Sequence, residues 1–102
     1  MKVARRDVES NLPKKGFRKN KSGDHIYFYH EWNGRETGAY TKISHTKKMK
    51  DIGGGLLTAM KLQLKLEANK QVVDLVTCPM SKEEYLEWLV EQRVFSPGDQ
   101  LP

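Results

Sequence analysis

The sequence predicts an α+β fold: a three-stranded antiparallel sheet covered by helices on one face, with further helices after it. Three observations carry that expectation. The stretch HIYFYHEW, His25 to Trp32, alternates apolar and polar residues; Asn33-Gly34 then turns the chain back into RETGAYTKIS; and the flanking segments place apolar residues at helical spacing. Alternation is the repeat of a strand with one buried face, whereas a spacing of three to four residues marks a helix with one buried stripe.

The elements follow in order. Val3 or Ala4, Val8 and Leu12 are spaced for a first helix, which Pro13 and Gly16 should close near Leu12 to Lys15. FRKNK is a short first strand, and Ser22, Gly23 and Asp24 form a turn. On the second strand Ile26, Phe28, His30 and Trp32 point one way, and His25, Tyr27, Tyr29 and Glu31 the other. Asn33-Gly34 is a strong hairpin signal because both central residues of a type I′ turn need positive φ. On the third strand Tyr40, Lys42 and Ser44 share one face, Ala39, Thr41 and Ile43 the other, and Gly38 marks a bulge.

Asp51 is expected to cap the covering helix, whose stripe is Leu56, Leu57, Met60 and Leu64. Gly53, Gly54 and Gly55 weaken its first turn, and it ends near Leu66. Residues 1–66 thus form an α-β-β-β-α core. Residues 67–92 read as a helical extension packed on it: NKQVVDLVTCP is a short helix stopped by Pro79. SKEEYLEWLVEQ is capped by Ser81 with Glu84 completing a capping box, and turns Tyr85, Leu89 and Trp88 inward. Residues 93–102 are a tail.

Composition narrows the function. With 102 residues the chain is one domain, able to bury about two-thirds of its unfolded surface. Its 18 Lys and Arg against 13 Asp and Glu leave a net charge of +5, which favours anionic partners: RNA, DNA or an acidic protein. No apolar run approaches the roughly 20 residues of a spanning helix, and MKVARRDVE lacks the apolar segment of a signal peptide. Cys78, the one cysteine, cannot form an intramolecular disulfide. A reducing, cytoplasmic setting without membrane contact is therefore expected.

Two stretches, in this order, resemble HicA-like toxins. KKGFRKNKSGDHIYFYH is similar to their glycine-phenylalanine turn, strand and Ser/Gly-His turn, and TKISHTKKMKDIGGGLLTAMKLQLKL to their third strand and closing helix. The likeness spans about residues 3–66. It implies a double-stranded-RNA-binding-like fold, a ribonuclease (mRNA interferase) acting on mRNA, and a HicB-like antitoxin as protein partner. The family's histidine falls on His25. Many members place Ser or Gly directly before that histidine, whereas here Asp24 intervenes after Ser22-Gly23; its carboxylate can orient the ring and can also repel phosphate. The resemblance says nothing of residues 67–92.

His25 is accordingly the candidate catalytic residue. It shares a strand face with Tyr27 and Tyr29, opposite the helices, where a substrate reaches it. Histidine takes or gives a proton near neutral pH, and RNA carries its own nucleophile in the 2′-hydroxyl, so a base and a phosphate clamp suffice. His30, an odd number of positions on, faces the helices and reads as a core residue; the same parity argues against a metal shared by His25 and His30. His45 is a weaker candidate. Lys42, Lys47, Lys48 and Lys50 form the densest cationic run after the first helix, and with Lys21 they are the candidate RNA-binding residues. Arg18 and Lys19 extend that patch.

The ordinary alternative for a charge run is a solvated loop, and for strand tyrosines it is packing, although Tyr27 and Tyr29 could also stack on bases. Gly53 to Gly55 lacks the GxxxxGK[ST] spacing of a nucleotide loop, and Cys78 has no CxxC partner. No metal and no cofactor are expected. The reading is a metal-independent endoribonuclease toxin with a histidine acid/base. Beside it stand a non-catalytic RNA-binding module of the same fold and a basic protein-interaction domain.

Overall fold

The computed structural model describes residues 1–44 and 50–96. A three-residue strand β1 (Lys2–Ala4) leads into α1 (Arg5–Asn11) and a 3-10 turn over Pro13–Lys15. The sheet follows as β2 (Phe17–Ser22), β3 (His25–Trp32) and β4 (Arg35–Ser44), then β5 (Asp51–Gly53), α2 (Gly54–Gln63), α3 (Asn69–Thr77) and α4 (Lys82–Glu91). Strands β2, β3 and β4 form an antiparallel sheet in that order, with β3 central; β1 and β5 pair separately as a two-stranded antiparallel ribbon. The protein is α+β. Among the described residues no helix is long and apolar enough to cross a membrane.

The alternation on β3 decides the layers. Ile26, Phe28 and His30 are buried, while His25, Tyr27 and Tyr29 are half-buried on the opposite side. Strand β4 follows suit, with Thr37, Ala39, Thr41 and Ile43 buried and Lys42 and Ser44 exposed. The hairpin forms on Asn33 and Gly34, both at positive φ (53° and 80°), with Trp32 opposite Arg35. The register shifts between Tyr29 and Glu31, where Thr37, Gly38 and Ala39 bulge opposite His30; Gly38 takes φ 96°, a conformation that few side-chain-bearing residues adopt.

Two expectations around the covering helix are corrected. Asp51 is not its cap: it lies in β5, opposite Ala4, and the N-cap is Gly53, which makes no side-chain cap bond. Strands of three residues offer no alternation to read, so β1 and β5 escape a pattern search, and Val3 packs from a strand rather than from a helix. In the stripe, Leu57, Met60 and Leu64 are buried, but Leu56 is half exposed at 50%. The helix starts at Gly54 and is capped by Leu64 rather than running on to Leu66.

Residues 67–92 are less an appendage than part of the same interior. Val72, Leu75, Val76, Tyr85 and Leu89 join Val8, Leu12, Phe28 and Leu57 in one core cluster. The Tyr85 ring lies 5.0 Å from His30 and 5.6 Å from Phe17, and its hydroxyl donates to the Leu64 carbonyl at 2.8 Å. Asn11 Nδ2 donates to the Val76 carbonyl at 2.7 Å, tying α1 to α3. The Ser81–Glu84 capping box is present in both directions, at 3.1 and 2.9 Å, and holds α4 where Tyr85 and Leu89 reach the core.

Candidate functional site

The antiparallel register lays out the open face as cross-strand rows. The first is Ser22, His25 and Ser44; the second Asn20, Tyr27 and Lys42; the third Arg18, Tyr29 and Tyr40; beyond the bulge Glu31 lies opposite Glu36. Direct cross-strand partners point to the same side of a sheet, so His25 and Lys42 occupy adjacent rows of one surface. The His25 and Tyr27 ring centroids are 6.1 Å apart, and Lys42 Nζ lies 6.0 Å from the Tyr27 centroid.

His25 and Lys42 also help line a concavity of about 170 Å³ between the end of the sheet and α2. Arg5 and Ser44 line it too, along with apolar Leu56 and Met60. Arg5 is the residue that sequence reasoning missed. It is 92% buried, an uncommon state for a guanidinium, and donates to the Ser44 carbonyl at 2.5 Å and to Glu9 at 3.2 Å. Its backbone amide donates to the Lys50 carbonyl at 2.7 Å. One residue therefore holds both chain ends that flank residues 45–49. Nothing local in VARRD announces this, because the contact to Ser44 crosses 39 positions of sequence.

The candidate cations separate. Lys42 is exposed on the face of His25. Lys21 pairs with Ile26 and Lys19 with Phe28, which puts both on the helix side of β2; Lys19 Nζ lies 3.4 Å from Glu9 of α1. The structure thus does not bring Lys21 beside His25. Arg18 shares the face of His25 but sits two rows away, bound to Glu31 at 2.7 Å and Glu36 at 3.0 Å. Lys50 is exposed and adjoins Arg5 and Arg6 in a neighbouring hollow. His45, Lys47 and Lys48 lie outside the described residues.

His30 is the counter-example on the same strand. Its ring is buried between Phe17 and Tyr85, both at 5.0 Å, and its Nδ1 lies 2.9 Å from Thr37 Oγ1. Burial pushes the imidazole down to about 4, with nearby Lys82 adding to the effect and Glu31 opposing it. It is a neutral packing residue at physiological pH. Cys78 is exposed at the end of α3. Among the described residues no three His, Cys, Asp or Glu side chains gather as metal ligands.

Fold and site together define an α+β protein in which, among the described residues, helices pack on one side of the sheet and leave the other open, the open side carrying His25, Lys42 and a group of tyrosines. No family model matches the chain. Neither a curated protein nor a solved structure matches it.

Proposed function

We propose that the protein is a HicA-like endoribonuclease toxin with a double-stranded-RNA-binding-like core, acting on mRNA in the cytoplasm without a metal or cofactor. The observation that supports this reading is the placement of His25 on the open face, beside Lys42 and lining a concavity. In the reaction His25 takes the proton of a ribose 2′-hydroxyl. The 2′-oxygen forms a bond to the adjacent phosphorus, the bond to the 5′-oxygen breaks, and that oxygen leaves with a proton from solvent or from the same ring. The product is a 2′,3′-cyclic phosphate. Lys42, with Lys47, Lys48 and Lys50, offsets the charge that builds on the phosphorane. Lys21, on the far side of β2, reaches RNA only around the strand edge.

A toxic nuclease is silenced by a partner that covers its active face. A HicB-like antitoxin, acidic enough to meet the lysines, would bury about 1,200–2,000 Å² in total. Its association would slow as salt rises. The open tyrosine face favours a second reading, a non-catalytic RNA-binding module, under which bound RNA stays intact.

The test is cleavage of a defined mRNA by the purified protein, with the new ends analysed for cyclic phosphate, for the parent and for His25→Ala. Loss of cleavage in a variant that melts like the parent supports the nuclease. Retention of a tenth or more of the parent rate removes His25 from the mechanism. RNA bound but uncut by the parent selects the binding module.

A further inference from the structure

The open face carries a pattern that acid–base chemistry at His25 does not require. Tyr27 and Tyr29 lie parallel, with centroids 5.7 Å apart and planes 3° from each other, and Tyr40 lies across the strand gap at 6.4 Å from Tyr29. All three are half-buried residues, whereas Ile26, Phe28 and His30 on the other side are buried. The buried side of the sheet is already filled by Phe28, Ile26 and Phe17, so these tyrosines are not part of the core. The tyrosines bracket the face with cations: Lys42 at 6.0 Å from the Tyr27 centroid and Arg18 at 5.1 Å from that of Tyr29.

The charge along this surface is graded. Arg18 is met by two carboxylates, Glu31 and Glu36, so the end beyond the third row is closed to phosphate. The second row offers Lys42 with neutral Asn20 and Tyr27, and the first offers His25 between two serines; the exposed Asp24 lies in the turn beyond them. An anionic backbone is therefore drawn to the His25 end, while the aromatic surface extends away from it over about 14 Å of strand, four residues at 3.4 Å each.

We propose that this face binds single-stranded RNA, stacking unpaired bases on Tyr27, Tyr29 and Tyr40 and seating a phosphate at Lys42 beside His25. This deepens the RNA reading above and rests on it. Bases present their flat faces only when unpaired, and such stacking is tolerant of sequence. A duplex hides those faces and is held instead through phosphates and 2′-hydroxyls spread over a wide footprint. The described open face has tyrosines where duplex recognition needs rows of cations.

Fluorescence anisotropy with a labelled, unstructured RNA octamer, alone and annealed to its complement, tests the proposal in the His25→Ala background so that the RNA stays intact. The single strand is expected to bind at least tenfold more tightly than the duplex. Tyr27→Ala and Tyr29→Ala should each weaken it roughly 5- to 150-fold, whereas Tyr27→Phe and Tyr29→Phe keep most of the affinity. Tyr27→Leu and Tyr29→Leu retain bulk on the strand while removing the aromatic face, so they read stacking even if the alanine variants unfold. Leucine variants that bind as the parent does overturn the proposal, as does a duplex bound as tightly as the single strand. Both results leave the RNA reading standing. A parent protein that binds neither form overturns both.

Discussion

His25 and His30 belong to one strand, five positions apart, and their surroundings have almost nothing in common. His30 is wedged between Phe17 and Tyr85 with its ring nitrogen against Thr37, and only 2% of its surface is exposed. His25 stands half-buried on the opposite side, between Ser22 and Ser44 and next to Lys42. An odd separation on a strand reverses the side chain, and α4, which carries Tyr85, covers only one of the two sides. The lesson is that residue type says little about these histidines. Which layer lies above each one determines whether its ring is sealed in the core or lies on the other side of the sheet.

Under the proposed nuclease function, His25→Ala should lower the cleavage rate about a hundredfold or more, the usual contribution of a positioned acid–base group, and leave the circular dichroism spectrum and melting temperature unchanged. His30→Ala should do the reverse. It empties a buried site and is expected to cost about 3–4 kcal/mol of stability, measured by urea unfolding, while molecules that remain folded cleave at the parent rate. Equal effects of the two substitutions on stability would mean that the faces are not distinct.

Acid sharpens the same contrast. With its folded-state value near 4 against about 6.5 when unfolded, His30 binds fewer protons in the native state between those limits. Stability from this group is thus fully present above about pH 6.5 and is lost as pH falls through about 4. The total is on the order of 3 kcal/mol, from a shift of roughly 2.5 pH units. Unfolding curves across that window should show the slope in the parent, and His30→Leu should flatten it. A slope that survives the substitution assigns the acid sensitivity elsewhere.

The smallest expected effects separate the lysines by face. Lys42→Ala should lower the slope of log affinity against log salt by about 0.7 on single-stranded RNA, the loss of one phosphate contact. Lys21→Ala, on the helix side of β2, should leave the slope unchanged. The combined Lys47, Lys48 and Lys50 replacement by Ala should lower it by about 0.7 for each contact made. Titrations at several salt concentrations read all three, and an unchanged slope returns that lysine, or that run, to the role of a solvated charge.

The parity of β3 and β4, the Asn33-Gly34 hairpin, the Gly38 bulge, the close of α1 and the capping box of α4 were legible in the residues themselves. Each depends on neighbours within a few positions, where alternation, a φ requirement or a side-chain-to-backbone bond is decided locally. The side of the sheet occupied by His25 followed from the same parity. Tertiary structure alone decided the rest. The ribbon of β1 and β5 joins segments nearly 50 positions apart through three residues each, too few to leave a periodic trace, and it converts Asp51 from a helix cap into a strand residue. Arg5 reaches the chain ends beside residues 45–49 only because α1 packs there, and Tyr85 covers His30 only because α4 folds back over β2 and β3. These are long-range pairings, selected by what buries the most apolar surface without leaving polar groups unmatched, and no window of sequence contains both partners.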